Sequence, residues 1–280
     1  RDRGAGVRCV RLWTSAAIAE ACHGAAAGDF TADGVTFDSR EVVAGDLFIA
    51  LKGETTDGHR FIGKALERGA AGLLVSEAVD AAHVRVTDTM AALNTLGAAS
   101  RERSSATRIG VTGSVGKTGV KEALKAALSR FAPDAVHASV KSYNNHTGVP
   151  LSLARMPAAS RFGVFEMGMN HSGELAELTQ LVRPHIAIVT WVASAHREFF
   201  ATETDIAMAK AEIFAGLPKG GTAIIPHDNP HADLLARAAA DAGAKVVRFG
   251  LNDGADVHAE KVALHPDCSC VTARIGDDTL

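Results

Sequence analysis

The residues best placed to do chemistry sit in one run, Gly113-Ser114-Val115-Gly116-Lys117-Thr118. The glycines let backbone N–H groups turn inward together, a lysine follows at once, and a hydroxyl stands beside it. A nucleotide phosphate needs that order. Amides and a helix N-terminus surround the anion, Lys117 reaches the terminal phosphates, and Thr118 offers its hydroxyl to Mg²⁺. The strict form of the pattern asks for glycine at position 111, where this chain has Val111. Three further residues carry usable chemistry. Glu166, just past an apolar run, can hold Mg²⁺ directly or through water. His196 can ligate a metal or touch a phosphate. Lys210, by pattern alone, reads as an exposed helical lysine.

These residues need a scaffold that brings distant loops together. The second half alternates apolar runs with amphipathic stretches. Strands are predicted at Ile109–Thr112, Gly163–Met167, Ile186–Trp191, Thr222–Ile225 and Val246–Phe249. Helices are predicted at Val120–Phe131, Gly173–Leu181, Ile206–Leu217 and His231–Ala242. Such alternation specifies a parallel sheet covered on both faces, with ligands at the carboxyl ends of its strands. Glu166, His196 and the glycine loop each lie just past such an end. In the first half, helices are predicted at Leu12–Cys22 (capped by Thr14 or Ser15), His59–Arg68 and Met90–Arg103, and strands at Asp46–Leu51 and Ala71–Val75. The halves divide near Ser104-Ser105-Ala106, giving domains at 9–105 and 106–280. The fold class is α/β: a small N-terminal α/β domain, then a P-loop-type parallel-sheet domain.

Composition narrows the class. With 280 residues, of which 47% are hydrophobic, the chain can bury a real core. A net charge of −3 and 5% aromatic residues give no signal for a nucleic-acid or membrane surface. Cys9, Cys22, Cys268 and Cys270 lack paired spacing and read as free thiols of a reducing compartment. No apolar run is long enough for membrane insertion, and no signal-peptide core is present. A cytoplasmic enzyme is the expectation. Arg1 to Arg8 reads as a leader or appended remnant. The other end, directly after the strand-like Cys270–Ile275 run, reads as an interrupted domain.

Six segments together resemble the Mur ligases of bacterial cell-wall synthesis. They are Phe37-Asp38-Ser39-Arg40, Gly53 to Phe61, Gly113 to Glu122, Ser142 to Leu151, Glu166 to Asn170, and Lys210-Ala211-Glu212-Ile213-Phe214. The resemblance spans about residues 12–250. It is nearest the type that joins D-alanyl-D-alanine to UDP-N-acetylmuramoyl-tripeptide. The Asp38-Ser39-Arg40 and Asp57-Gly58-His59 segments are also similar to the type that adds the third amino acid. The resemblance implies an acyl phosphate made from a substrate carboxylate and ATP, then displacement of phosphate by an amine. It implies two Mg²⁺ ions, with Thr118, Glu166 and His196 at the magnesium positions. Lys117 and Lys210 match lysines that serve catalysis, and Lys210 matches one that CO₂ converts to an anionic carbamate. The first domain would hold the uridine nucleotide, with Ser39 and Arg40 near uracil and diphosphate. Asn144 and Asn145 fall where the family meets its sugar–peptide substrate. A monomer is implied.

The chain also departs from the family. The family has a proline two residues before its histidine and an aliphatic residue after it. Here these are Ser194 and Arg197, and Trp191 is also unusual. The family's C-terminal domain is not within these 280 residues, and the adenine-contacting segment is expected past Leu280. Two rivals stay open. A small-molecule kinase could use the same phosphate loop, but Glu166 stands where such enzymes place an aspartate. A Mur-like fragment could bind a nucleotide or UDP-sugar without turnover.

Overall fold

The computed structural model describes residues 11–53, 56–194, 199–276 and 278–279. The chain separates into two compact units. One holds residues up to Ala106 together with Pro150–Ser160, and the other holds Thr107–Val149 and Arg161 onward.

The first unit runs β1 (Trp13–Thr14), α1 (Ser15–Cys22), β2 (Ala25–Ala27), β3 (Thr31–Ala32), β4 (Gly34–Thr36), β5 (Asp46–Ile49), α2 (Ile62–Glu67), β6 (Gly72–Val75), β7 (His83–Arg85) and α3 (Thr89–Glu102). Strands β4, β5, β6 and β7 pair in parallel, β2 closes the sheet antiparallel to β7, and β1 pairs with β3 apart from it. Phe48, Leu73, Val75, Ala50, Val42 and Ala65 form one core beneath α2. The expected helix over 59–68 begins as a 3₁₀ turn, Gly58–Phe61, and becomes α-helical only from Ile62. Asp57 explains this: its carboxylate accepts from the His59 amide at 2.9 Å and tightens the entry. Helix α1 starts three residues later than expected. Thr14 caps it, leaving Trp13 in an extended strand.

The second unit runs β8 (Thr107–Thr112), α4 (Lys117–Phe131), β9 (Val136–Ala138), α5 (Gly148–Ala154), β10 (Phe162–Glu166), α6 (Glu174–Val182), β11 (Ile186–Val189), α7 (Glu203–Ala211), β12 (Thr222–Pro226), α8 (Ala232–Asp241), β13 (Lys245–Gly250), β14 (Val257–Leu264), β15 (Ser269–Ile275) and β16 (Asp278–Thr279). Its nine strands lie in the order β16-β15-β14-β13-β12-β11-β8-β10-β9. From β9 to β14 every pairing is parallel, as the alternating pattern predicts, while β15 and β16 turn back antiparallel. The helical run expected over 206–217 stops at Ala211 and tightens into a 3₁₀ turn, Glu212–Gly216.

Helix α5 has no counterpart among the sequence expectations, because Pro150 and Gly148 both lower helix propensity. Proline in a first turn forfeits no intrahelical hydrogen bond. The Asn145 side chain supplies the missing acceptor, taking the Gly148 amide at 2.9 Å. Residues Pro150–Ser160 pack within the first unit. There the Trp13 indole donates to the Ala154 carbonyl at 2.9 Å, and Ser100 donates to the Met156 carbonyl at 3.0 Å.

Candidate active site

Strand register assembles the site. Glu166 is level with Val111, and Val189 is level with Thr112. The residue that ends β10 and the residue after β11 therefore flank the point where β8 stops. Val111 belongs to the strand interior. It is fully buried and packs with Ile109, Ala138, Val164 and Ile188. The turn is made by Gly113 instead, at φ +153°, where a Cβ would stand 1.9 Å from the Thr190 hydroxyl. The departure at position 111 thus costs the loop nothing.

Beyond Gly113 the loop is fastened to the segment after β11. The Ser114 amide donates to the Trp191 carbonyl at 2.8 Å, and the Ser114 hydroxyl donates to the Ala193 carbonyl at 2.9 Å. The Thr190 hydroxyl lies against the carbonyls of Thr112 and Val115. Gly116, at φ +84°, opens α4 with no side-chain cap. The first amides of a fifteen-residue helix therefore have no side-chain acceptor, which suits them to an anion. Val115, exposed, takes part through its backbone.

Lys117 folds over this loop, its ammonium donating to the Gly113 carbonyl at 2.6 Å. Burial pulls its pKa below the ordinary lysine value, and the nearby Glu166 charge opposes that shift. One residue on, the Thr118 hydroxyl donates to Glu166 Oε2 at 3.0 Å. Glu166 is 1% exposed. Its other oxygen accepts from the Asn144 amide group at 2.9 Å. A hydroxyl and a buried carboxylate meeting beside a phosphate loop form a hard-oxygen pair suited to Mg²⁺. Among the described residues no three His, Cys, Asp or Glu side chains cluster as a protein-only metal cage.

Lys210 corrects its pattern-only reading as an exposed lysine. It lies in the last turn of α7 and is 2% exposed. Desolvation first, then the Lys117 charge, bring its pKa down to about 8. The periodicity of α7 misleads here because small alanines flank the lysine, so it is the packing of neighbouring elements that covers it. Glu212, two residues on, accepts from the Ser172 hydroxyl and the Gly173 amide, each at 2.8 Å. It ties the loop after β10 to the helix that carries Lys210. His196 and Arg197 lie outside the described residues. Ser194, in the family's proline position, donates to Glu203 at 2.8 Å, and Glu203 also meets His231 at 3.2 Å.

Asn144 is half-buried against Glu166, whereas Asn145 is exposed and spends its carbonyl capping α5. In the first unit Ser39 is buried. Arg40 is exposed and grips the Asp38 carboxylate through two nitrogens, at 2.9 and 2.7 Å. The Asp57 carboxylate takes the His59 ring at 2.6 Å, and the other ring nitrogen accepts from the Ser76 amide at 3.0 Å. Sequence reasoning assigned no role to Lys121, Thr190 or Glu212. Lys121 was visible only as one lysine in an amphipathic helix.

Two family models cover most of this scaffold. The Mur ligase middle domain matches residues 111–277, and the Mur ligase family, catalytic domain, matches residues 31–135. The chain belongs to the Mur ligase family. It is 41% identical over 226 residues to the UDP-N-acetylmuramoyl-tripeptide--D-alanyl-D-alanine ligase of Escherichia coli, covering 80% of this chain and 49% of that protein. The enzyme of the same name from Rickettsia prowazekii is 39% identical over 222 residues, covering 78% and 49%. Among solved structures, the UDP-N-acetylmuramoylalanyl-D-glutamyl-2,6-diaminopimelate--D-alanyl-D-alanyl ligase of Acinetobacter baumannii aligns at TM-score 0.84 and 30% identity, over 98% of this chain and 61% of that one. The MurF ligase of Thermotoga maritima in complex with ADP aligns at TM-score 0.72 and 28% identity, over 88% and 57%. This Mur ligase chain therefore spans about half the length of the curated relatives it matches.

Proposed function

We infer that this chain is the nucleotide-handling part of an ATP-dependent ligase that joins D-alanyl-D-alanine to UDP-N-acetylmuramoyl-tripeptide in cytoplasmic peptidoglycan precursor synthesis. Residues 9–105 are read as the UDP-sugar domain, with Ser39 and Arg40 at the nucleotide. Residues 106–280 are read as the ATP domain, with Asn144 and Asn145 toward the sugar–peptide substrate. The observation that carries the reading is the meeting of Lys117, Thr118 and Glu166 at an uncapped helix N-terminus. The relatives' shared name supports the substrate pair.

The residues divide the work. Amides of 115–118 hold the β- and γ-phosphates of ATP, and the Lys117 ammonium leaves the Gly113 carbonyl to neutralise charge gathering on the γ-phosphoryl oxygens. The substrate carboxylate attacks that phosphorus, ADP leaves, and the amine of the dipeptide then displaces phosphate from the acyl phosphate. Thr118 and Glu166, with His196, would hold Mg²⁺, which supplies charge neutralisation to the phosphates when bound. Lys210 is read as a carbamate. Its neutral amine adds to CO₂, a nitrogen–carbon bond forms, and a proton leaves. The lowered pKa supports this, since with a value of about 8 roughly a quarter of the amine is neutral at pH 7.5. Phosphate release by the longer protein that requires both the UDP-muramoyl tripeptide and D-alanyl-D-alanine tests the whole reading. Release with a small-molecule acceptor alone would point to a kinase. A requirement for a single diamino acid would point to the third-residue type.

A further inference from the structure

Lys121 is a lysine with no exposed surface, one turn past Thr118 on the same face of α4. Its ammonium donates to the Lys141 carbonyl at 2.9 Å and lies 3.1 Å from Glu122 Oε1 and 3.7 Å from Glu166 Oε2. Lys141 is held at φ +54°, an uncommon backbone state for a lysine. Three residues on, Asn144 donates its side chain to Glu166 and takes the Gly168 amide on its carbonyl at 2.7 Å. One buried charge thus touches both the carboxylate and the turn that delivers the second partner of that carboxylate.

Stability gives a poor account of this arrangement. A buried ammonium is costly to desolvate, and a well-packed apolar side chain of the same length is often neutral or better for folding. A methionine would fill the site. What an apolar side chain cannot do is hold the Glu166 carboxylate in place from 3.7 Å, or pin the Lys141 carbonyl. We propose that Lys121 is a positioning residue that fixes Glu166 and the Lys141–Asn144 turn in the geometry for a divalent cation beside the phosphate loop. This rests on the reading of Thr118 and Glu166 as cation ligands. Lys121 itself stays out of contact with the nucleotide, which distinguishes it from Lys117.

The test is calorimetric binding of ADP to this chain, with Mg²⁺ and in excess chelator, for the wild type, Lys121→Met and Lys121→Arg. The ratio of the two affinities reads the cation site alone. Lys121→Met should lower that ratio on the order of 10- to 100-fold, the usual loss when a partner orienting a metal ligand is removed. Its Mg²⁺-free ADP affinity should stay within about twofold, because the loop amides and Lys117 are untouched. Lys121→Arg should recover part of the ratio. Where Lys121→Met does not fold, Lys121→Gln carries the same test, since it keeps a donor for the Lys141 carbonyl and removes the charge. A folded, uncharged variant with an unchanged ratio overturns the proposal. So does an equal fall with and without Mg²⁺, which would make Lys121 a general support of the loop. If the wild-type chain binds ADP without regard to Mg²⁺ while Lys117→Ala still weakens binding, the Glu166 cation site itself is wrong and the inference falls with it.

Discussion

Two charged clusters, one in each unit, are built in opposite ways. In the first, Arg40 is 79% exposed and pairs with Asp38, a neighbour only two residues away. In the second, Lys121 and Lys210 are no more than 2% exposed, and Glu166 is 1% exposed. An exposed local pair contributes little to stability and is free to exchange partners. Buried charges of both signs on separate loops must be held by the fold, and they keep their strength because water is excluded. The first surface suits recognition of a ligand that comes and goes. The second suits a reaction in which charge builds quickly and must be met by groups already in place.

The largest effects should come from breaking the second arrangement at its centre. Lys117→Ala in the longer protein removes the ammonium over the phosphate loop and should cost on the order of 2–4 kcal/mol of transition-state stabilisation. Steady-state kcat/KM for phosphate release reads this directly, and near-normal turnover would refute the assignment. Gly113→Ala comes next. Its Cβ would meet the Thr190 hydroxyl, and the backbone sits at φ +153°. The strain alone is on the order of 1–3 kcal/mol. Thermal melting should fall by several degrees, and ADP affinity should fall with it. A Gly116→Ala protein should lose less to direct contact, since its nearest neighbour lies 3.7 Å away.

The same contrast explains what could be read from residues alone. The alternation of apolar runs identified β8, β10, β11, β12 and β13 and helices α4, α6, α7 and α8, because a parallel sheet buried on both faces leaves an unmistakable period. Helix α5 escaped because its first turn holds Gly148 and Pro150, and its start depends on a cap from Asn145. The glycine loop and Glu166 were legible because strand ends locate ligand sites. Lys121 and Lys210 were not, because helical spacing shows which residues share a face but not which face a neighbour covers. Burial of a lysine is a tertiary fact, decided here by the turn at Lys141 and by the elements packed round α7. Asn144 and Asn145 show the same limit at close range, since adjacent identical residues take different partners.

Lys210 tests whether buried charge is costly here. Its folded pKa of about 8 lies below the unfolded value near 10.5. At pH below 8 both states are protonated, and the folded state carries the full cost of the buried charge. Between about 8 and 10.5 the unfolded chain binds more protons, so stability rises with pH and the cost disappears. Lys210→Met should therefore melt higher than wild type at pH 7 in bicarbonate-free buffer, by on the order of 1 kcal/mol. The gain should vanish near pH 10.5. Added bicarbonate should raise wild-type melting and leave the variant unmoved, while the longer protein carrying the variant loses ligation. A gain that persists at pH 10.5 would mean that packing, not charge, sets the difference.

The smallest effect on stability, and the sharpest on specificity, is expected from Ser39→Ala combined with Arg40→Ala. Arg40 stands in solvent, so losing it should change unfolding free energy by no more than about 0.5 kcal/mol. Ser39 is buried but small, and its loss leaves little space. If the first unit holds the UDP end of the substrate, the double variant should weaken UDP-muramoyl binding at least about tenfold, the scale of one lost charge-assisted contact. ATP or ADP affinity should stay within about twofold, since no group of the phosphate loop has been altered. Calorimetry with the two nucleotides on the same protein separates the outcomes. A fall in ADP affinity with UDP-sugar binding intact would reverse the division of labour between the units. A fall in both would show that the exposed pair at Asp38 and Arg40 supports the second unit's site, and the contrast between local and buried charge would then no longer separate recognition from chemistry.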